Sequence, residues 1–374
     1  MRMSTTLLGG ASARLPRMTE DLGLLVGCES PSGEPARTAA CGDVLSGWVR
    51  DLLGSDPERI VVDGVTHLRW AFGGPTRVLL LGHLDTVWPA GTLARWPFAV
   101  EEGRASGPGC FDMKAGLVQA VHALALLDDL DGVGLLVTAD EELGSPSSAA
   151  LIESTARGVG AVLVAEPSSA GALKTERKGV GVYRLAAHGR AAHAGLEPEK
   201  GRNAAVAAAH LVLAATGLGD PAIGTTVTPT VLQAGTTTNT VPAEAGVAID
   251  ARAATAAELR RVDEGLRRLD PGVDGVTVEV SGGINRLPLE ATSSTALFAL
   301  ASDLAAELGL APLRGVAVGG GSDGNITAGL GIPTLDGLGA VGDGAHAEGE
   351  HVVLAAMAER TALLAALTRR LLDR

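Results

Sequence analysis

The stretch that most constrains the fold is residues 78–88, Val-Leu-Leu-Leu-Gly-His-Leu-Asp-Thr-Val-Trp. Its unbroken apolar run, bounded by glycine, is typical of a strand buried on both faces of a parallel sheet. Because successive strand side chains alternate between faces, we expect His83 and Asp85 on the same side at the carboxyl end. Open α/β sheets bind their ligands at that edge. A histidine followed by a carboxylate suits a metal ligand and the group that orients its ring, although a strand can also simply end in two polar residues.

Two further apolar strands lead into acidic residues. Residues 133–138 precede Glu141 and Glu142, and residues 160–165 precede Glu166. Between the first and second of these three strands lies a Gly/Pro-rich loop that contains Asp112 and runs into a helix. The alternation of buried strands with helices predicts the α/β class with a mostly parallel sheet.

The pattern changes near Lys178 and returns near Leu287. Residues 178–286 contain strands with alternating hydrophobicity and two helical segments, which predicts an inserted α+β two-layer domain of four strands and two helices. The flanking segments, residues 1–177 and 287–374, are then the two parts of one catalytic domain.

The acidic and histidine residues at the predicted strand ends and loops form a possible metal-binding set. They are His83, Asp85, Asp112, Glu141, Glu142, Glu166 and His346. Zinc binds histidine nitrogen and carboxylate oxygen, and so many converging carboxylates would repel one another without cations. Two metal ions usually share a bridging carboxylate. The set provides one arrangement of this kind, with Asp112 as the bridge, His83 and Glu166 on one ion, and Glu142 and His346 on the other.

Glu141 and Glu142 are adjacent, so a regular strand cannot direct both at one ion. One should be a ligand, and the other should lie beside the metal-bound water. A metal ion lowers the pKa of such a water to about 7. The neighbouring carboxylate can take its proton and pass it to a leaving amine. This combination predicts hydrolysis of an amide bond.

The motifs that contain these residues resemble the dinuclear zinc amidohydrolases that include glutamate carboxypeptidase, aminoacylase and succinyl-diaminopimelate desuccinylase. The resemblance runs from about Thr19 to Arg374. Its motifs are His83-Leu-Asp85-Thr86, Gly107-Pro-Gly-Cys-Phe-Asp112-Met-Lys, Asp140-Glu141-Glu142-Leu-Gly-Ser145, Ala165-Glu166-Pro167 and Gly342-Asp-Gly-Ala-His346. The resemblance implies a zinc-exopeptidase catalytic domain, the ligands assigned above, Glu141 as general base and Asp85 as the partner of His83. It also implies a cis peptide bond after Asp112.

For the insert, the resemblance implies a lid and dimerisation domain. His193 matches a lid histidine that enters the partner subunit's site and stabilises the oxyanion, and a homodimer would form through helix 203–215 and an adjacent edge strand. Asn239 and Arg252 match positions near the substrate, and Arg252 could bind a substrate carboxylate in bidentate fashion. A run of three glycines matches a loop whose backbone approaches the same carboxylate: Gly319, Gly320 and Gly321. Taken alone, these residues are ordinary for a surface loop, a strand end and a flexible turn.

Cys110 lies two residues before Asp112. Some relatives use a cysteine as the bridging ligand, but Asp112 occupies the bridging position here. We therefore predict that Cys110 is a small buried residue.

Composition excludes several classes of function. The net charge is −13 and the 30 basic residues are evenly spread, which argues against a nucleic-acid surface. Three cysteines without a Cys-x-x-Cys pair favour a reducing compartment. The amino-terminal residues lack the apolar core of a signal peptide, and no run of about 18 apolar residues predicts a membrane span. A cytoplasmic location is expected.

The expected function is hydrolysis of the amide bond to a C-terminal amino acid in a small peptide or N-acyl amino acid. Two Zn²⁺ are expected as cofactors, with Co²⁺ or Mn²⁺ possible. Residues 85–89 and 335–342 are most similar to the glutamate-carboxypeptidase-like branch. The first alternative is an N-acyl-amino-acid deacylase or desuccinylase. A non-catalytic binding relative and a dinuclear phosphoesterase are more remote, because every ligand and the base are present and only His83 and His346 are credible histidine ligands.

Overall fold

A computed structural model describes the backbone of residues 2–373 and the side chains of residues 7–373. The chain forms two compact units. The large unit comprises the residues up to Glu176, then Ala291–Val318 and the residues from Ser322 onward. The small unit comprises Arg177–Glu290 together with Gly319–Gly321.

The described residues contain α-helices in both units. They are α1 (Arg2–Gly27), α2 (Pro35–Leu53), α3 (Ala115–Leu124), α4 (Ala149–Ala156), α5 (Ala204–Thr216), α6 (Ala256–Arg267), α7 (Ala291–Leu308), α8 (Gly324–Gly329) and α9 (Leu354–Leu372). None of these helices is both long enough and apolar enough to cross a bilayer.

The strands of the large unit that precede the small unit are β1 (Glu58–Val62), β2 (Val65–Phe72), β3 (Val78–His83), β4 (Ala99–Glu101), β5 (Arg104–Ser106), β6 (Val133–Thr138), β7 (Ala161–Val164) and β8 (Leu173–Arg177). The strands of the small unit are β9 (Gly179–His188), β10 (Ala192–His193), β11 (Thr226–Ala234), β12 (Thr240–Val241), β13 (Glu244–Ala253) and β14 (Thr277–Arg286). The remaining strands of the large unit are β15 (Gly315–Val318), β16 (Thr334–Leu335), β17 (Gly342–Asp343) and β18 (His351–Val353).

The central sheet of the large unit has the strand order β1-β2-β6-β3-β7-β16. Strands β6, β3, β7 and β16 are parallel, and the hairpin β1–β2 adds two strands with β2 antiparallel to β6. The prediction of a mostly parallel α/β sheet is therefore confirmed. The register pairs His83 with Thr138, so the carboxyl ends of β3 and β6 lie side by side.

Apolar layers cover both faces of this sheet, which explains the unbroken hydrophobic run of β3. Leu80 belongs to the core formed with helices α1, α2, α3, α7 and α9. Leu79 and Leu81 belong to a second core with Ile152 of α4 and Ile326 of α8. Since each buried leucine contributes about 1.5–3 kcal/mol, the strand that carries His83 is held firmly in place.

Short elements near the chain termini differ from the sequence-based expectations. The sequence pattern alone indicates a last helix over residues 350–372, but the helix begins at Leu354 because residues 351–353 form a strand that pairs with β5. That strand belongs to a small sheet of order β17-β18-β5-β4, whose two- and three-residue strands are too short for a periodic signal. The sequence pattern likewise indicates a short first helix over residues 18–26, whereas α1 begins at Arg2 and includes Pro16.

The small unit is a two-layer sandwich, as predicted. Its antiparallel sheet has the order β11-β13-β9-β14. Helices α5 and α6 bury one face of the sheet, where Leu185 and Ile249 pack with Leu211 of α5 and Leu266 of α6. Each helix has a side-chain cap at its amino end, since Asn203 accepts from the Ala205 and Val206 amides and Thr255 accepts from the Glu258 amide.

Candidate metal centre

The carboxyl ends of the parallel strands bring the candidate ligands together. His83 is the last residue of β3, and a short 3-10 turn after β6 carries Glu141 and Glu142. That turn is held from behind by Asp140, whose carboxylate accepts hydrogen bonds from the amide and hydroxyl of Ser147 at 2.7 and 2.6 Å. Strand order alone therefore places residues that are far apart in sequence at one edge.

His83 is buried between two sets of oxygen atoms. Its Nδ1 lies 3.0 Å from the main-chain oxygen of Asp85 and 3.4 Å from Asp85 Oδ1. Its Nε2 lies 3.4 Å from Asp112 Oδ1 and 3.5 Å from Glu166 Oε1. Within the described part of the chain, neither His83 Nε2 nor Asp112 Oδ1 has a hydrogen-bond partner. A buried nitrogen that faces carboxylates and makes no hydrogen bond fits a metal ligand.

His346 lies on the other side of Asp112. Its Nε2 is 3.1 Å from Glu142 Oε2 and 3.6 Å from Asp112 Oδ2. The two oxygens of Asp112 therefore face two different histidines. The peptide bond between Asp112 and Met113 is cis, as the family resemblance implies.

Asp85 connects His83 to the turn that follows β6. Its carboxylate accepts a 2.6 Å hydrogen bond from Ser32 Oγ and 3.2 Å bonds from the amides of Glu141 and Glu142. Burial alone would raise the pKa of Asp85, but its interactions with His83 and these donors hold the pKa below its ordinary value. Asp85 is therefore placed to orient both the imidazole and the turn.

Two overlapping groups of side chains have the spacing of a metal site. One ligand atom from each of His83, Asp112 and Glu142 lies within 4.8 Å of the others, and the same holds for His83, Glu141 and Glu166. Burial opposes a charged imidazole, but Asp112, Asp85 and Glu166 together raise the pKa of His83 well above its ordinary value. Such strong anionic surroundings and a mixed nitrogen and oxygen donor set fit a divalent cation such as zinc.

Sequence reasoning missed two buried ionic residues near these ligands. Glu350 is fully buried and accepts hydrogen bonds from Trp88 and from the loop that carries Asp112. Lys114 is buried and donates to the carbonyls of Leu25 and Cys28 at the end of α1. Glu350 could have been recognised from its position four residues after His346. Lys114 could have been recognised only from its place in the motif that contains Asp112.

The predicted buried state of Cys110 is confirmed. Its side chain is fully buried, with Sγ 3.7 Å from the carbonyl oxygen of Ala105 and 3.6 Å from that of Glu350. Burial raises the pKa of the thiol, which favours its neutral form in this environment.

In the small unit, a short two-stranded pairing brings His193 and Asn239 close together. His193 is opposite Thr240 in this pairing, and the amide of Ala194 donates to the carbonyl of Asn239 at 2.9 Å. His193 Nδ1 accepts from the amides of Gly195 and Leu196 at 3.1 and 3.2 Å. The ring proton is therefore on Nε2, which makes His193 a hydrogen-bond donor on an exposed loop.

Arg252 lies near the opposite end of the long strand β13. It is eight positions after Glu244, the first residue of that strand, which corresponds to about 27 Å along an extended chain. Its guanidinium is paired with Asp250, at 2.9 Å from Nε to Oδ1 and 2.9 Å from Nη2 to Oδ2. One small unit therefore presents Arg252 and the His193 loop at separate places.

The three-glycine run is held through its carbonyl groups. Arg177 Nη1 lies 3.1 Å from the carbonyl oxygen of Gly320 and 3.3 Å from that of Gly321. A Cβ added at Gly319 would meet no atom within 4 Å. Open space above an ordered backbone permits close approach of another molecule.

A mostly parallel α/β unit with histidines and carboxylates gathered at its strand ends defines a metal-dependent hydrolase. Residues 79–370 match the profile of peptidase family M20/M25/M40. The chain belongs to this family, whose members are metal-dependent peptidases and related hydrolases.

Individual relatives agree with this assignment. The chain is 31% identical to carboxypeptidase G2 of Pseudomonas sp. (strain RS-16) over 263 residues, which are 67% of this chain and 63% of that protein. It is 37% identical to succinyl-diaminopimelate desuccinylase of Wolinella succinogenes over 108 residues, 27% of this chain and 29% of that protein. Among solved structures, aminopeptidase PepT of Bacillus cereus shares the fold, with a TM-score of 0.72, 22% identity and coverage of 96% of this chain and 99% of that chain.

Proposed function

We propose that this protein is a carboxypeptidase-like exopeptidase that hydrolyses the amide bond joining an acyl or peptidyl group to a C-terminal amino acid. The observation that carries the proposal is the position of Asp112, whose Oδ1 faces His83 at 3.4 Å and whose Oδ2 faces His346 at 3.6 Å. A carboxylate shared in this way between two histidines suits a pair of metal ions.

The residues present fit two zinc ions. His83 and Glu166 would hold one ion, Glu142 and His346 the other, and Asp112 both. When bound, the ions supply Lewis acidity to the scissile carbonyl and lower the pKa of water. Cobalt or manganese could occupy the same nitrogen and oxygen donors.

Glu141 is the proposed general base. Its buried carboxylate has an oxygen within 4.8 Å of His83 and Glu166 ligand atoms, while the amide of the same residue is held by Asp85 at 3.2 Å. In this role Glu141 takes a proton from the attacking water and delivers it to the nitrogen of the leaving amino acid. Asp85 orients the His83 ring and the turn that carries Glu141.

Substrate binding is assigned to the small unit. Arg252 would bind the terminal carboxylate, with Gly319, Gly320 and Gly321 offering backbone groups. His193, as a donor through Nε2, would stabilise the oxyanion, and Asn239 lies beside it. Arg252 lies about 27 Å along β13 from Glu244, the end of the strand that is nearer in sequence to the Thr240 partner of His193. To contact Arg252 and His193 together, one amino-acid-sized substrate would need Arg252 from one copy of the chain and His193 from another.

A homodimer through the small unit is proposed to satisfy this requirement. Strand β11 is an edge strand of its sheet, and unpaired edges readily pair with a second chain. Helix α5 packs against β11. Both elements carry exposed apolar side chains that would add to the dimer surface: Val206, Leu213, Val231 and Leu232. Such exposure favours burial in an interface.

An N-acyl-amino-acid deacylase or desuccinylase is the second candidate. It is favoured by the match to succinyl-diaminopimelate desuccinylase, although that match spans only 27% of this chain. The carboxypeptidase G2 match spans 67% of this chain, which supports our preference for the peptidase proposal. Both candidates use the same centre and differ in the group on the acyl side.

The test is amino-acid release from a panel of dipeptides and N-acyl amino acids by zinc-reconstituted protein, with a chelator control. We expect chelator-sensitive release of a C-terminal amino acid, and Glu141→Gln should lower kcat by about 10²–10⁴-fold while both metal ions stay bound. Release only from N-succinyl substrates would favour the second candidate. Substantial turnover by the Glu141→Gln variant would refute its role as base.

A further inference from the structure

The carboxylate of Glu350 is a buried acceptor for four N–H groups. Its Oε1 accepts from the amides of Phe111 and Asp112 at 2.8 and 2.9 Å. Its Oε2 accepts from the amide of Gly109 at 2.9 Å and from Trp88 Nε1 at 2.8 Å. The side chain of Glu350 is fully buried. Its bonds from Gly109 and Phe111 are buried and those from Trp88 and Asp112 are partly buried, so water cannot readily replace the carboxylate.

These bonds join the segments that carry the candidate ligands. Trp88 lies three residues after Asp85, and the amides of the 109–112 loop belong to the segment that ends in Asp112. Glu350 itself lies four residues after His346 and directly precedes strand β18. One carboxylate thus fixes the distance between the Asp112 loop and the His346 segment.

A carboxylate is the side chain that this position requires. Each of its two oxygens accepts two N–H groups, so both positions have to be acceptors. A glutamine has the same shape, but its NH₂ group would face two N–H donors. Each oxygen accepts one buried main-chain amide, from Phe111 or from Gly109. The conflict therefore has to move the loop or leave a buried donor unpaired.

We propose that Glu350 is a positioning residue that holds Asp112 and His346 in the geometry needed to bind metal together. Among the described residues, Glu350 is not part of the side-chain groups that have the spacing of a metal site, and it acts through the Asp112 amide and the chain that leads back to His346. The inference rests on the proposed function of the His83–Asp112–His346 cluster as a metal centre.

The test compares Glu350→Gln with a matched control, Glu29→Gln. Glu29 also accepts two main-chain N–H groups, from Gly91 at 2.8 Å and Leu93 at 3.0 Å, and neither donor belongs to the Asp112 loop or to the His346 segment. Metal-free proteins are titrated with Zn²⁺ against a chromophoric chelator, and Co²⁺ is added in parallel to record the visible absorption of the bound ion.

Glu350→Gln should bind at least one Zn²⁺ about 10- to 100-fold more weakly than the wild type. Its Co²⁺ spectrum should change, and kcat should fall with little change in KM. Glu29→Gln should match the wild type in all three measurements. If Glu350→Gln keeps Zn²⁺ affinity within twofold and an unaltered Co²⁺ spectrum, the inference is overturned while the proposed function stands. A wild-type protein that binds neither metal would instead overturn the proposed function itself.

If Glu350→Gln does not fold, Glu350→Asp provides the same test. It keeps the charge and all acceptor oxygens but withdraws them by one methylene, so the Asp112 loop has to shift. We expect a Zn²⁺ affinity intermediate between the wild type and metal loss, with an altered Co²⁺ spectrum. Wild-type affinity together with a wild-type spectrum would overturn the inference.

Discussion

The two halves of the candidate metal centre share Asp112 but differ in what supports them. The side chain of His83 is 2% exposed and ends a strand covered on both faces, whereas the side chain of His346 is 53% exposed and lies in a loop between two short strands. A strand end is fixed by the packing of the sheet, and a loop residue depends on a few local contacts. The inner, His83 half should therefore hold its ion tightly, and the outer, His346 half should exchange its ion more readily.

The largest expected effect belongs to the shared residue. Asp112→Ala removes a ligand from both halves and leaves a histidine on each side without its carboxylate. We expect loss of both metal ions and of detectable turnover, measured by metal analysis after gel filtration and by amino-acid release. Retention of two ions would contradict the bridging assignment.

Single histidine replacements should separate the halves. We expect His83→Ala to weaken binding of the tighter ion by at least about 100-fold, because a buried ligand cannot be replaced by solvent. His346→Ala should keep one ion near wild-type affinity and lose the second. The measurement is a Zn²⁺ titration of both variants side by side. Equal losses in the two variants would remove the distinction between an inner and an outer position.

The affinity of the outer, His346 half for its metal ion should also depend strongly on pH. A hydrogen bond with Glu142 raises the pKa of His346 to about 9 in the metal-free protein, so the imidazole is protonated at neutral pH. Metal binding needs the neutral ring, and a proton has to leave. Affinity for the second ion should therefore rise as pH increases towards about 9 and fall below it, by up to about tenfold per pH unit.

A series of Zn²⁺ titrations between about pH 6.5 and about pH 9 measures this dependence. His346→Ala is the control, because its remaining ion should lack the contribution of this proton. An affinity for the second ion that stays constant from neutral pH to about 9 would show that the Glu142–His346 pair does not hold the proton.

The smallest expected effect concerns the support of the inner half. Ser32→Ala removes the 2.6 Å hydrogen bond to Asp85 but leaves the two amide donors in place. The loss of one hydrogen bond to a charged group corresponds to about 1.5–3 kcal/mol at most. We expect kcat/KM to fall by about 5- to 50-fold with metal stoichiometry unchanged. A loss of metal would mean that Ser32 matters for ligand geometry as well as for orientation of Asp85.

The parallel strands were predictable because a strand buried on both faces leaves a continuous apolar run, as in residues 78–81 and 133–137. The acidic residues after those strands were visible for the same reason. The small sheet around His351 was not, because two- and three-residue strands have no period. The early start of α1 was also missed, since Gly9, Gly10 and Pro16 are typical helix breakers, yet the helix packs against α9 and α3.

Which donor atoms are available, and in what order they follow the strands, could be read from the residues alone, since both depend on local residue type and periodicity. Three features depend on the folded chain: the two oxygens of Asp112 face His83 and His346 separately, Glu350 links the Asp112 loop to the His346 segment, and Arg252 is paired with Asp250 far along β13 from the His193 loop. Loop direction and side-chain burial depend on contacts between segments distant in sequence, and residue spacing along the chain carries no record of those contacts.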